Sequence, residues 1–388
     1  MASLHQPPVI IDGRYISDRY PGIGRYVYDL VSSLAQVSPG LPIALLTGAG
    51  EPQTRFRLGE LEERGIELIP LRGALRSLGG RLEVRRICRA RAPALFHAPH
   101  VLSAVPHRCP SVVTIHDLIP IRASVGGLSA AGRLLFRTLL RRALASASVV
   151  VTASASVSNE LQARWGVSGD RIAVTPLAAG PRFRPAPPDR TAADRARLRL
   201  PERYVLYVGN HRPHKNLSLL LQGWSDLQDS RRNGCWLVIA GAIDEPYAEA
   251  VRRSREPCRD RVSFLGPVAE ADLPSVYRGA RILVHPALQE GFGLPIIEAM
   301  ACGVPVACSR APALDGTCGA AALRFDAESS IDTARAIDLL LHDDALRETL
   351  VVAGLQRAGE LTWTRTAELT LSAYRKALSR AGTEALAP

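Results

Sequence analysis

Glu290-Gly-Phe-Gly-Leu-Pro-Ile-Ile-Glu298, running on through Ala299-Met-Ala-Cys-Gly303, decides how this 388-residue chain is read. The apolar residues Ile282 to Val284 just before it have strand character, and Pro295 stands where a first helical turn tolerates a missing N–H. Gly303 suits a helix C-cap. The stretch therefore predicts a strand, a glycine loop and a short helix whose N-terminus points at whatever fills the loop from Gly291 to Gly293. Backbone N–H groups freed by such a loop suit phosphate oxygens. Glu290, in the loop, and Glu298, expected in the first helical turn, cannot serve the same purpose and must face hydroxyls. A plain turn with two solvated carboxylates needs neither the proline nor a glutamate on each side. One ligand carrying phosphate and sugar hydroxyls satisfies the whole set: a nucleotide sugar.

The length exceeds what one core usually supports, so two domains are expected. Hydrophobic residues make up 47% of the chain, enough for well-buried cores. No apolar run approaches the roughly 18 residues that span a bilayer, and Met1 to Gln6 lacks the regions of a signal peptide, so a cytoplasmic protein is expected. Cysteines at positions 88, 109, 235, 258, 302, 308 and 318 show no C-x-x-C pairing and read as reduced and structural. Charge is uneven. Residues 1–200 hold 27 Arg and no Lys against 14 acids, a net +13, while the remainder carries −2. Lys215 and Lys376 alone break the use of Arg, and a compact ammonium kept in that background points to a site that suits it.

Along the chain, Val9 to Asp12 reads as a buried strand, and Pro21-Gly-Ile-Gly24 leads into a helical pattern from Arg25 to Leu34. Gly22 and Gly24 at a strand-to-helix turn allow close approach of a ligand, and equally a structural turn; the third glycine and the acid of a dinucleotide fingerprint are missing. Strand-like runs follow at 43–47, 66–70, 94–97, 112–116, 148–152 and 172–176, with helical stretches between most of them. This alternation predicts parallel sheets wrapped on both faces, with ligands beyond the strand C-termini, where His97, His100, His116 and Asp117 fall. His97-Ala-Pro-His100 has the spacing of a metal pair, but Pro99 discourages a helix and no third ligand is evident. A loop contact to substrate or a structural role is expected there instead. Pro181 to Arg199 lacks periodicity and reads as a linker. A second alternating block opens with the strand 204–209 and the polar loop His211-Arg-Pro-His-Lys215. Arg212 and Lys215 there suit a diphosphate, and Asn216 is a candidate cap for the helix that follows.

The spacing of Glu290 and Glu298 around Gly-Phe-Gly-Leu-Pro resembles the paired-glutamate signature of retaining glycosyltransferases of the family-4 type. Residues 209–217 resemble that family's phosphate loop, although His214 stands where many relatives place Arg. Thr114-Ile-His116-Asp117 resembles its His-Asp, in which the His lies against the donor sugar near the reacting centre. Leu361-Thr-Trp363 and the residues to Leu378 resemble its closing Trp and last helix. The resemblance implies the α/β GT-B fold: two doubly wound Rossmann-like domains facing a central cleft, at 1–185 and 201–363, with a linker at 186–200 and a helix at 364–380 returning to the first domain.

It further implies a hexosyltransferase that retains anomeric configuration without a metal or other cofactor, with GDP-mannose the first donor to try. Catalytic roles fall to His116 and to Glu290, which would orient sugar hydroxyls. Donor binding falls to Gly22, Gly24, Arg212, Lys215, Gly291, Phe292, Gly293, Leu294 and to Glu298, which would hold the ribose. His97, His100 and Asp117 are candidates for the acceptor side of the cleft. The expected partners are the nucleotide-sugar donor and a glycan or lipid-linked acceptor, with no nucleic acid. A phosphorylase or epimerase of the same fold, or a non-catalytic binding protein, is the rival reading. Arg72, Arg76, Arg81, Arg85, Arg86, Arg89 and Arg91, together with Arg133, Arg137, Arg141 and Arg142 on a stretch containing Leu134, Leu135, Phe136, Leu139 and Leu140, suggest peripheral contact with an anionic membrane at its inner face or with an acidic acceptor. Arg is also this chain's default cation, and those leucines equally suit packing on the sheet.

Overall fold

The computed structural model describes residues 6–50, 55–75, 77–103, 106, 109–122, 127–228, 231–242, 247 and 261–382; Arg76 and Cys258 lie outside them. The chain forms two compact units. Residues up to Leu118, Ala131–Leu177 and the segment from Trp363 onward make the first, and Ile119–Ala130 with Ala178–Thr362 make the second.

In the first unit, β1 (Val9–Asp12), β2 (Ile43–Gly48), β3 (Glu67–Leu71), β4 (Leu95–Ala98), β5 (Ser111–Thr114), β6 (Val149–Thr152) and β7 (Ile172–Val174) form a sheet in the order β3-β2-β1-β4-β5-β6-β7. Every recorded pairing is parallel. Strands such as Val9-Ile-Ile and Val149-Val-Val are apolar without alternation because helices cover both faces. The helix Pro21–Val37 buries Tyr26, Val27, Leu30, Val31 and Leu34, and it packs against the helix Trp363–Arg380 at the far end of the sequence.

The second unit carries β8 (Tyr204–Val208), β9 (Trp236–Ala240), β10 (Val262–Gly266), β11 (Ile282–His285), β12 (Val306–Ser309) and β13 (Leu323–Phe325), in the order β10-β9-β8-β11-β12-β13 and again parallel. Trp224, Tyr207, Leu220, Leu221, Ile239, Ile337 and Leu340 are among its buried core residues. In both sheets the chain order reverses at one point, between β1 and β4 and between β8 and β11. In sheets of this kind a ligand typically binds at such a reversal, beyond the strand C-termini.

The stretch expected to be a linker differs. Pro188–Arg197 is a helix docked on the helix Leu273–Arg278. Asp194 accepts hydrogen bonds from Ser275 Oγ at 2.7 Å and Arg278 Nη2 at 3.3 Å, and Arg197 pairs with Asp272 at 2.7 Å. Charge and hydroxyl contacts hold this helix, and none of its residues is buried, so apolar periodicity gave no signal of it. The chain crosses between the units after Leu118, Ala130, Leu177 and Thr362. Cys88, Cys235, Cys302, Cys308 and Cys318 are buried free thiols, and Cys109 is a half-buried one.

Candidate active site

The second unit brings Lys215 and Glu290 together at its switch point. β8 ends at Val208, and the chain then makes the turn Pro213–Lys215, which Pro213 starts by fixing φ where no N–H is needed. Asn216 follows in the left-handed region at φ 57°. Contrary to expectation its side chain does not cap the next helix: the amide donates to the carbonyls of Pro286 at 3.2 Å and Ala327 at 2.8 Å. The Leu288 N–H donates to the His214 carbonyl at 2.8 Å. The turn that carries Lys215 is thereby tied to the loop that carries Glu290.

That second loop runs from the end of β11 to the helix Leu294–Ala301. Gly293 caps the helix at φ 98°, a conformation that favours glycine, and a Cβ there, 2.6 Å from Leu314 Cδ2, would also push the tip of that side chain aside. Pro295 occupies the first turn, and Gly303 at φ 75° follows the C-cap Cys302. Ser309 Oγ donates to the Ala287 carbonyl and Thr317 Oγ1 to the Phe292 carbonyl, fixing the loop from the β12 side. The Phe292 side chain is buried and anchors the loop.

Glu290 Oε1 accepts from Lys215 Nζ and from His285 Nε2, the latter at 2.8 Å. The Lys215 and Glu290 side chains are only 16% and 9% exposed. Burial alone would raise the Glu290 pKa, but the Lys215 ammonium and the His285 hydrogen bond outweigh it and hold the carboxyl well below the ordinary range. Glu290 is therefore an ionised acceptor. Arg212, at the start of the turn, is exposed. Glu298 lies one turn deeper than expected, as the fifth helical residue. It is buried, and its Oε2 accepts from the Tyr277 hydroxyl at 2.8 Å.

In the first unit the candidate residues divide. His97 is not a loop contact but a core residue of β4, fully buried, with Nδ1 2.7 Å from the Tyr374 hydroxyl and Nε2 2.8 Å from Thr114 Oγ1. Burial, with a smaller contribution from His116, lowers its pKa to about 3. Tyr26 Oη extends the chain of hydrogen bonds to Thr114 at 2.9 Å. His116 lies just beyond β5 and donates from Nε2 to the Pro99 carbonyl at 2.9 Å, with Tyr26 edge-on to its ring at 4.8 Å. Burial lowers its pKa to about 4, against the Pro99 bond, which raises it, so the ring is neutral near pH 7 with Nδ1 as an acceptor. His100 accepts from the Leu102 N–H at 3.2 Å and lies 5.5 Å from the Tyr15 ring. Asp117 is half-buried one residue past His116. The helix starts at Pro21, so Gly22 and Gly24 sit in its first turn rather than in a loop. A Cβ at Gly24 would stand 2.7 Å from the Tyr15 carbonyl, so that glycine serves a close backbone approach, whereas Gly22 meets nothing within 4 Å.

His285, Tyr277 and Thr317 are site residues that the sequence reading missed. His285 carried one signal, a polar residue closing an otherwise apolar strand five positions before Glu290. Among the described residues no three His, Cys, Asp or Glu side chains are grouped to hold a metal, and no helix is long and apolar enough to cross a membrane.

Residues 190–357 match the family described as glycosyl transferases group 1, and residues 20–178 match glycosyltransferase family 4. The O-antigen chain mannosyltransferase B of Escherichia coli is 29% identical over 92% of this chain and 97% of its own length. A serotype-specific mannosyltransferase WbdA of Escherichia coli is 26% identical over 69% of this chain; that match spans about a third of the WbdA length. Sucrose-phosphate synthase of Thermosynechococcus elongatus superposes with a TM-score of 0.73 at 24% identity, covering 95% of this chain and 98% of that one. HepE of Anabaena, solved in complex with UDP and glucose, gives 0.74 at 18% identity over 95% and 99% of the two chains. These structures establish the fold, and with the two family matches in tandem along the sequence the chain belongs to the family-4-type glycosyltransferases of GT-B fold.

Proposed function

We propose that the protein moves a hexose, with mannose from GDP-mannose the leading case, to a glycan or lipid-linked acceptor with retention of anomeric configuration. The observation that carries this reading is the meeting of Lys215 and Glu290 at the switch point of the second sheet. A cation for a diphosphate and a carboxylate for sugar hydroxyls stand side by side ahead of a glycine-capped helix N-terminus. The mannosyltransferase relatives support the choice of sugar and of a polysaccharide-building role.

Transfer breaks the bond between the anomeric carbon and the β-phosphate oxygen and forms one to an acceptor oxygen, while the acceptor proton passes to the leaving phosphate. Charge grows on the diphosphate as the anomeric carbon becomes cationic. Lys215, Arg212 and the N–H groups of Gly291, Gly293 and Leu294 oppose the first of these, and stabilisation that strengthens toward the transition state is what raises the rate. Glu290 orients hydroxyls of the moving sugar and Glu298 the ribose. His116, a neutral ring, is the candidate catalytic group of the first unit, with His100 and Asp117 candidates for acceptor contact. Incubating the purified protein with GDP-, UDP- and ADP-sugars and measuring release of nucleoside diphosphate with and without glycan acceptors tests the reading. Acceptor-dependent release is expected. Binding without turnover would make the protein a non-catalytic binder, and turnover only with inorganic phosphate or by epimerisation would place it in a different reaction class.

We further propose that the first unit docks on an anionic bilayer. Leu78 and Leu82 on the helix Leu78–Arg91 are 78% and 62% exposed beside exposed Arg85, Arg86 and Arg89. Leu134 and Leu135 on the helix Ala130–Ser146 are 64% and 61% exposed beside exposed Arg137, Arg141 and Arg142. Phe136 and Leu140 of the second helix pack inward instead. Each near-surface Arg adds on the order of 1 kcal/mol with anionic lipid. Co-sedimentation with anionic vesicles at low salt, weakening as salt rises, is expected. Absence of binding to them at low salt would refute docking.

A further inference from the structure

Two donors share one oxygen of Glu290, and they differ in stiffness. Lys215 reaches Oε1 from a flexible four-carbon stem on a short turn, and its ammonium serves equally for a phosphate. His285 reaches the same oxygen from the last residue of a strand at the centre of the sheet, with a ring 1% exposed. An ionised carboxylate only accepts, so the shared proton belongs to His285 Nε2. Among the described residues the Nδ1 side of the ring has no hydrogen-bond partner. The contrast with His97 is informative, because that ring engages protein groups through both nitrogens, as a histidine kept for architecture does. His285 leaves one nitrogen bare, and its single hydrogen bond goes to Glu290.

We propose that His285 is a positioning residue for sugar transfer: it holds the Glu290 carboxylate in place when Lys215 turns to the donor diphosphate. The inference rests on the reading of Glu290 as the group that orients the transferred sugar. Once the ammonium serves a phosphate, Oε1 keeps one protein donor among the described residues, and that donor is fixed by β11. The carboxylate then meets sugar hydroxyls from a set geometry, and a loose carboxylate loses turnover rather than nucleotide affinity.

The test uses the whole chain and the nucleotide sugar found to support transfer. His285→Phe removes the donor and keeps a ring. Turnover falls about 10- to 100-fold, in line with losing a hydrogen bond to a charged group, while affinity for the nucleoside diphosphate by calorimetry stays within about threefold. His285→Gln, whose amide nitrogen reaches where Nε2 stood, recovers turnover, whereas His285→Asn, whose amide is too short to reach Glu290, does not. In a Glu290→Ala background, where His285 has no carboxylate left to hold, His285→Phe adds less than about twofold. If His285→Phe is folded and within about twofold of wild type while Glu290→Ala is impaired, the positioning role fails and the glycosyl-transfer reading stands. If His285→Phe does not fold, the Gln and Asn variants decide, and equal turnover in the two overturns the proposal. An unimpaired Glu290→Ala, or no transfer by the wild type, removes the underlying reading and this inference with it.

Discussion

Replacing Glu290 by glutamine should tighten binding of the nucleoside diphosphate while slowing transfer, a combination that a plain loss of a binding residue does not give. Lys215 and Glu290 are in direct contact and largely enclosed. Two unit charges about 4 Å apart at an effective dielectric of about 20 attract by about 4 kcal/mol, so a diphosphate recruiting Lys215 competes with a substantial pair. The phosphate restores a counter-charge to the ammonium, so the part that opposes binding is what Glu290 loses when it gives up the ammonium and keeps His285. Taking a quarter to a half of the gross attraction gives about 1–2 kcal/mol, or a roughly 5- to 30-fold lower Kd in Glu290→Gln. The isosteric amide still offers an oxygen to His285 Nε2, so the loop keeps its anchor. Turnover falls at least about tenfold because a neutral amide orients hydroxyls less strongly than a carboxylate. Because the carboxyl titrates well below the ordinary range, the gain in affinity should be the same at pH 6 as at pH 8. Calorimetry with the diphosphate at fixed ionic strength, beside steady-state rates, measures both arms. A folded Glu290→Gln protein that binds the diphosphate no better than wild type would show that Glu290 does not compete for Lys215.

Lys215→Ala should lower transfer at least about tenfold, a loss of about 1.4 kcal/mol or more of transition-state stabilisation, and unchanged kinetics in the folded variant would remove Lys215 from the site. Glu298→Ala should weaken nucleotide affinity more than turnover, with Glu290→Ala showing the reverse; the same defect in both would end this division of labour. Because Glu298→Ala also strips the buried Tyr277 hydroxyl of its acceptor, denaturant melts should show about 1–3 kcal/mol of lost stability for it. His97 titrates near 6.5 in an unfolded chain and at about 3 when folded, so acid drives protons onto the unfolded state. Its contribution is intact above pH 6.5 and is lost as pH falls toward 3, by up to about 1.4 kcal/mol per pH unit. Urea titrations from pH 7 to 5 should show a flatter profile in His97→Gln, and an identical slope would refute the assignment.

Much of the architecture is visible in the sequence because the devices that build it are local. Continuous apolar runs such as Val9-Ile-Ile mark parallel strands, and Pro213, Gly293, Pro295 and Gly303 are chosen for backbone reasons that chain order reveals. Lys215 and Glu290 stood out for the same reason, one against a background of arginines and the other against glycines. What escaped was held by distant partners or by polar contacts. Tyr277 meets Glu298 across 21 residues, and no pattern in the chain announces the pair. Asn216 looked like a cap, a role its residue type favours, but its backbone entered the left-handed region and its amide went to two carbonyls far along the chain. His97 and His100 share a short motif yet part company in space, because β4 still runs through the first and has ended before the second.

The helix Trp363–Arg380 supplies the hydroxyl that satisfies His97 and the surface that covers the helix Pro21–Val37. During synthesis the first unit therefore lacks a wall until the last of its residues leaves the ribosome, long after its own sheet strands have emerged. The second unit, with Ile119–Ala130 already made and Ala178–Thr362 continuous, has its complement of segments sooner. A released chain ending at residue 362 should thus present a protease-resistant second half and an open first half, with Tyr26, whose ring lies 6.4 Å from that of Trp363 in the whole chain, awaiting its cover and exposed to chaperones.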